Sequence, residues 1–314
     1  MAGIGARAAA VLIFALAGAV HGPAREAESA TAFSAYQKGD YVQARALLRP
    51  LAEAGDVKAQ YDLGAMYANG LGSDPDPAEA AKWLSKASAQ GYVFAEVDLG
   101  ALHETGRGVA KDEKEAMRLY RLAARQGSAE AAMDIGALYD RGLGVTANAV
   151  EAMSWYRKAA GQGLAEAQYN IGRLYAEGRG APKDMTQAAS WYRKAADQGH
   201  DSAELNLGAL YYAGQGVPQD ASQALRWFRA AAQKGNGHAQ FNLATLYTDA
   251  DGATKDLPRA LVWYSAAATS LKDAEAKAAE AGGRDVAKAM TPEQLSQARA
   301  IAQACKAGDY AVCN

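Results

Sequence analysis

The segment Tyr175–Asp184, with the sequence YAEGRGAPKD, carries residue types that could bind a phosphate group. Gly178 and Gly180 flank Arg179, and Lys183 follows, as in glycine-rich turns that hold phosphates beside a lysine. The glycine pair recurs with a varying residue between its members, as Gly70 and Gly72, Gly106 and Gly108, Gly142 and Gly144, and Gly214 and Gly216. A phosphate-binding turn would follow a strand and would not tolerate that variation, so we expect turns between helices.

The sequence contains no comparable pattern for catalysis or metal binding. The histidines are His21, His103, His200 and His238, and no two of them have the spacing of metal ligands on a helix. A nucleophile-elbow motif is also missing. We therefore expect no catalytic residue, no metal and no cofactor.

The elements that position these side chains follow from a repeat of 36 residues. Glycine recurs in one position at Gly64, Gly100, Gly136, Gly172 and Gly208, with Ala244 in the next place. All five tryptophans share another position, at Trp83, Trp155, Trp191, Trp227 and Trp263, and Leu119 fills the remaining place. Their helical spacing with alanine favours core packing over stacking on sugars.

Each repeat reads as two helices. Helix A has the pattern AEAQYNIGRLYAEG and helix B the pattern TQAASWYRKAADQG, both with apolar residues on one face. The glycine inside helix A costs about 1 kcal/mol relative to alanine, so its recurrence predicts a close helix contact. The fold class expected is all-α.

Helix B has recurring start and stop signals. The predicted N-caps are Asp76, Asp112, Asn148, Asp184, Asp220 and Asp256. Glu or Gln stands three residues after the first five of them, which resembles a capping box. The predicted left-handed C-terminal glycines are Gly91, Gly127, Gly163, Gly199 and Gly235.

The chain ends differ from the repeats. Residues 1–24 resemble a secretory signal, with Arg7 before an apolar run from Ala8 to Val20, too short to span a bilayer. Cleavage after Ala19 or Ala24 fits the small residues there, and we favour Ala24; an uncleaved anchor is the alternative. A periplasmic or secreted location and no stable membrane insertion after cleavage would follow.

The predicted organisation has four parts. After the signal come a half-repeat or cap at 25–56, including a helix near 32–38, and six repeats at 57–271. Capping helices and a tail occupy 272–314, where Gly282 and Gly283 are expected to interrupt a helix and Thr291 to begin another. In an exported protein Cys305 and Cys313 could form a disulfide, and two free thiols are the alternative.

The composition limits the partners. The chain has 314 residues and a formal net charge of −2. A nucleic-acid-binding protein would show a basic surplus, so we expect no nucleic acid partner.

The segment AEAQYNIGRLYAEGRGAPKDMTQAASWYRKAADQG resembles the Sel-one-like repeat (SLR), a relative of the tetratricopeptide repeat. The resemblance implies a right-handed α/α superhelical solenoid and a non-catalytic adaptor for a protein partner, often in envelope signalling or assembly. His103 and Leu119 depart from the pattern in the second repeat. The alternative function is β-lactam recognition and hydrolysis, known in cysteine-rich relatives, but no repeat here contains cysteine.

Solenoids of this kind bind partners on a concave surface lined by helix A. Exposed aromatic residues and arginines are the usual interface anchors. The resulting hypothesis places the partner on Arg141, Tyr169, Arg173, Glu177 and Tyr212, and ordinary solvated residues are the alternative. Another helix A position forms a polar ladder, which could be a binding line or a set of hydrogen bonds to neighbouring helices: Asp62, Asp98, Asp134, Asn170, Asn206 and Asn242.

Overall fold

The computed structural model describes residues 23–249 and 255–305, and these residues form helices joined by short turns. The helices are α1 (Pro23–Gln37), α2 (Tyr41–Glu53), α3 (Val57–Asn69), α4 (Pro77–Ala89), α5 (Val93–Thr105), α6 (Glu113–Arg125), α7 (Ala129–Arg141), α8 (Ala149–Gly161), α9 (Ala165–Glu177), α10 (Met185–Ala196), α11 (Asp201–Ala213), α12 (Ala221–Gln233), α13 (Gly237–Asp249), α14 (Leu257–Ser270), α15 (Asp273–Lys288) and α16 (Pro292–Ala304). From α3 to α14 helices of type A and type B alternate. The predicted all-α repeat class is confirmed.

The chain divides into two compact units, Met1–Ala159 and Ala160–Asn314. In the first unit Leu63, Met66 and Trp83 belong to one buried cluster. In the second, Trp263 lies in a buried cluster with Leu243. Each core therefore uses the apolar faces that the repeat pattern identifies.

The N-caps of helix B form as predicted, but the capping boxes do not. Asp76 Oδ1 accepts hydrogen bonds from the backbone N–H groups of Ala78 and Glu79 at 3.1 and 3.0 Å. The backbone N–H of Asp76 donates to the carbonyl of Tyr67 in helix A, at 2.9 Å. Since this N–H already has a partner, Glu79 does not bond to it and forms an ion pair with Lys82 instead.

The Gly-x-Gly turn is a packing element. Both glycines have a left-handed backbone, with φ 71° at Gly178 and 74° at Gly180. A Cβ on Gly108 would stand 2.1 Å from the carbonyl oxygen of Pro77, at the start of the preceding repeat's helix B. The second glycine thus lets one repeat's turn lie directly on the backbone of the repeat before it.

An aromatic ring packs directly against the glycine inside helix A. A Cβ on Gly172 would stand 2.7 Å from Cδ1 of Tyr192, in helix B of the same repeat. The same contact involves Gly100 with Tyr120 and Gly208 with Phe228. The close helix contact predicted from the recurring glycine is confirmed.

Both chain ends differ from the predicted helix bounds. The first helix, α1, is longer than the predicted segment 32–38. The predicted interruption at Gly282 and Gly283 is wrong, because α15 continues through both residues. A Cβ on Gly282 would stand 2.7 Å from the ring of Tyr264, so this glycine serves packing rather than chain reversal.

The last helix begins as predicted. Thr291 Oγ1 accepts from the backbone of Gln294, and Gln294 Oε1 accepts from the backbone of Thr291, which completes a capping box. Val286, Met290 and Ala298 belong to the same buried cluster as Trp263. The C-terminal helices therefore contribute to the core of the last repeat.

Candidate partner-binding surface

The tryptophans belong to the core or its edge. Trp83, Trp227 and Trp263 are buried. Trp155 and Trp191 are half-buried, and the ammonium groups of Lys158 and Lys194 lie 3.6 and 4.0 Å from their ring centroids. A lysine therefore covers these half-buried rings, which fits packing better than stacking on sugars.

Helix A of most repeats carries a tyrosine three residues before its Gly-x-Gly turn, and these tyrosines form a contact that the sequence analysis did not predict. Arg121 on α6 donates to the hydroxyl of Tyr139 on α7 at 2.9 Å, and Arg229 on α12 donates to that of Tyr247 on α13 at 2.7 Å. Arginine and tyrosine are 18 residues apart in each pair. The second repeat has His103 in the tyrosine place and Ser85 in the arginine place. Because both residues are replaced together in this repeat, the sequence itself indicates that the tyrosine and the arginine form a pair.

The polar ladder divides into two parts. Asp62, Asp98 and Asp134 are buried, whereas the asparagines of later repeats are only partly buried. Tyr61 hydrogen-bonds to Asp98 of the next repeat. Because all three aspartates are buried, the acidic half of the ladder is not an exposed binding line.

Burial also changes the ionisation of the ladder. Desolvation, with a smaller contribution from the charge of Asp56, raises the pKa of Asp62 to about 8, although the charge of Lys58 opposes the rise. Near neutral pH this carboxyl is largely protonated and is a weak attractant for a cationic partner.

Arg141 lies in the first unit and is held by neighbouring side chains. Its Nη2 donates to Oε1 of Glu104 at 2.8 Å, and its Nε donates to the carbonyl of Ala137 at 3.2 Å. The hydroxyl of Tyr120 donates to the other carboxylate oxygen of Glu104 at 3.1 Å. A partner binding Arg141 would compete with this network.

Tyr169, in the second unit, is half-buried. Its ring stacks on His200 with centroids 4.7 Å apart, and Nε2 of His200 lies 2.9 Å from Oε2 of Glu166. Nδ1 of His200 accepts from the backbone N–H of Ala203 and caps α11. That cap leaves Nε2 as the donor to Glu166, and this hydrogen bond lowers the pKa of Glu166.

The partly buried Arg173 and the exposed Glu177 form an ion pair one helical turn apart. Nη1 of Arg173 lies 3.2 Å from Oε2 of Glu177, and Arg179 reaches the same oxygen at 3.2 Å. Such a pair contributes about 0.2–1 kcal/mol at a surface, so a partner can reorganise it at little cost.

Tyr212 is the large aromatic residue of the predicted set that faces solvent. It is 42% exposed and lines a cleft of about 90 Å³. The other lining residues are Ala209, Phe228, Asn242 and Thr245. Tyr212 and the cleft residues share the second unit, and together they offer apolar contact beside polar side chains.

Within residues 23–249 and 255–305, no three histidine, cysteine or acidic side chains group as a metal site would require. Cys313 lies outside the described residues, so the Cys305–Cys313 disulfide stays a prediction.

A Sel1 repeat family model matches most of the chain, at residues 30–56, 57–92, 93–128, 129–164, 165–200, 201–236 and 237–270. The chain belongs to the Sel1 repeat family. Its first matched segment corresponds to the half-repeat inferred from the sequence. The other six coincide with the pairs of helices from α3 to α14.

Two solved Sel1-type structures are similar to this chain. A Sel1 repeat protein from Oxalobacter formigenes is 33% identical, and the match covers 79% of this chain and 98% of that one, with a TM-score of 0.68. A protective antigen present in uropathogenic Escherichia coli strains, which displays an SLR fold, is 30% identical over 88% of this chain and 69% of that one, with a TM-score of 0.61. No curated protein gives a significant match. Sel1 repeat proteins generally act as scaffolds for protein interactions.

Proposed function

We propose that this Sel1 repeat protein is an exported, non-catalytic scaffold that binds a protein partner through the helix A surface of its later repeats. The observation that carries the proposal is the exposure of Tyr212 beside the cleft formed with Phe228 and Asn242. A rigid aromatic side chain next to a partly apolar cleft is typical of interface hot spots.

The surroundings of Tyr212 favour a mixed interface. Ala209 and the buried Phe228 ring form the apolar part of the cleft lining, while Asn242 and Thr245 supply amide and hydroxyl groups. One repeat earlier, Arg173 and Glu177 provide charges that can pair with the rim of a partner. An apolar anchor with a polar rim is how protein interfaces are usually built.

Binding can be tested with the mature protein and a double variant, Arg173→Glu with Tyr212→Ala. We expect the double variant to lose the partner that the unchanged protein recovers in a pull-down. Val150→Ala is the matched control, because Val150 is 64% exposed and lies on a helix of type B in the first unit. Equal recovery by all three proteins would reject the helix A surface.

Export is supported by the composition of residues 1–24, which lie mostly outside the described residues. No helix in the described ranges is long and apolar enough to cross a membrane. We propose a periplasmic or secreted location with a role in envelope signalling or assembly. Mass measurement of the fractionated protein should show loss of about 24 residues. An intact N-terminus in the cytoplasmic fraction would contradict export.

A further inference from the structure

Helix α6 carries a cationic stripe on its exposed side. The stripe consists of Lys114, Arg118, Arg121 and Arg125, at positions i, i+4, i+7 and i+11. With a rise of 1.5 Å per residue, it extends over about 16 Å of the helix. The four cations line a hollow of about 220 Å³ together with Met117 and Leu122.

The two ends of the stripe lack counter-charges. Arg118 is paired with Glu115 at 2.7 Å, and Arg121 donates to the hydroxyl of Tyr139. Within the described residues no acidic side chain pairs with Lys114 or Arg125. Both side chains are exposed and free to meet anions.

The other helices of type B do not repeat this charge pattern. In them the place of Lys114 is taken by Ala78, Val150, Thr186, Ser222 and Pro258. The place of Arg125 is taken by Ala89, Gly161, Asp197, Gln233 and Thr269. The stripe is therefore a local feature of the second repeat, in a chain whose formal net charge is −2.

We propose that α6 is a second docking surface, which binds an acidic, amphipathic helix of a protein partner. Carboxylates at i and i+11 would meet the unpaired Lys114 and Arg125, since helices share one rise per residue. Carboxylates at i+4 and i+7 would compete with Glu115 for Arg118 and with the Tyr139 hydroxyl for Arg121. Apolar side chains between the carboxylates would enter the hollow, where Met117 and Leu122 contribute apolar contact. A flat anionic bilayer would leave this hollow unfilled, which favours a protein segment. The surface lies on a helix of type B in the first unit and does not depend on the helix A site.

The test uses a synthetic helical peptide about 16 residues long, with four glutamates at this spacing around leucines, and a matched peptide with glutamine in their place. Fluorescence anisotropy at about 50 mM salt should show about tenfold tighter binding of the glutamate peptide. Lys114→Gln with Arg125→Gln should weaken that binding about tenfold, the change expected for two exposed ion pairs.

Lys183→Gln with Lys272→Gln is the control, because it removes the same net charge from exposed positions elsewhere. We expect it to bind the glutamate peptide as the unchanged protein does. An equal loss in the control, or equal binding of both peptides, would overturn the proposal. Binding of phosphatidylglycerol vesicles that depends on Lys114 and Arg125, without peptide binding, would replace the protein partner with a lipid surface.

Discussion

Glu204 and Lys234 show how single residues adapt one buried contact to different charges. Nζ of Lys234 lies 2.6 Å from Oε1 of the buried Glu204. Two other repeats place a glutamine pair there, with Gln90 bonded to Gln60 and Gln198 bonded to Gln168, both at 2.8 Å. In each pair the residues are 30 positions apart and join helix A to the end of helix B. The charged pair is thus a local substitute for a neutral one.

Lys234→Met should therefore destabilise the protein by about 2 kcal/mol, because it leaves the buried Glu204 carboxylate without its partly exposed hydrogen-bond donor. The double variant Glu204→Gln with Lys234→Gln should stay within about 1 kcal/mol of the unchanged protein, since it restores the neutral pair. Chemical denaturation measures both. Equal losses in the two variants would show that the pairing is not the cause.

The raised pKa of Asp62 predicts that the stability of the protein depends on pH. Its pKa of about 8 in the folded protein lies above the ordinary value of 3.8, so the folded state holds the proton more strongly than the unfolded state. The resulting stability is fully present below pH 3.8 and is lost as pH rises toward about 8. Asp62→Asn should remove this loss, with a gain that grows over that interval to at most roughly 5 kcal/mol.

Asparagine already occupies the same ladder position in the last three repeats, so the substitution fits the fold. Asp285→Asn is the control, because Lys288 lowers the pKa of this exposed carboxyl and reverses the sign. Unfolding curves recorded from about pH 4 to about pH 9 compare the variants. A gain for Asp62→Asn that does not change with pH would contradict the account.

At the scale of the helices, the sequence correctly predicts features that depend only on residues adjacent in the chain. The N-cap aspartates and the left-handed glycines act on the backbone beside them, so their recurrence was sufficient. The capping boxes were wrong because the N–H of Asp76 bonds to Tyr67, which lies in another helix. Gly282 was misread for the same reason, since its partner Tyr264 belongs to α14.

The predicted partner-binding residues show the same difference between what the repeat predicts and what contacts with other helices decide. The exposed positions on helix A follow from the repeat, but the contacts that hold Arg141 and Tyr169 do not. Glu104 belongs to the repeat before that of Arg141, and His200 is the last residue of the repeat that contains Tyr169. Both occupy places where other repeats have different residues. Such contacts become visible only when the helices are placed side by side.

Gly172→Ala tests the contact between helices A and B. The new methyl group would overlap the ring of Tyr192, so we expect a net loss of about 1–2 kcal/mol despite the better helix propensity of alanine. Gly161→Ala is the control, because nothing lies within 4 Å of a Cβ at that helical position. It should gain up to about 1 kcal/mol. Thermal unfolding measures the change in stability of both variants. Changes of the same sign would contradict the account.

At the scale of the whole molecule, each unit has its own core and its own candidate surface. The cationic stripe of α6 lies in the first unit, and Tyr212 lies in the second. The described tryptophans and helix A tyrosines serve packing or bond to arginines, so they leave few side chains free for a partner. We expect partner recognition to reside in these few local departures from the repeat.

The central claim is that the helix A surface around Tyr212 contacts a protein partner. The most direct measurement places a photo-crosslinking amino acid at position 212, and separately at the exposed position 150, in the cells that produce the protein. We predict one discrete crosslinked protein from position 212 and none of that mass from position 150. No crosslink from position 212, or the same product from both positions, would contradict the claim.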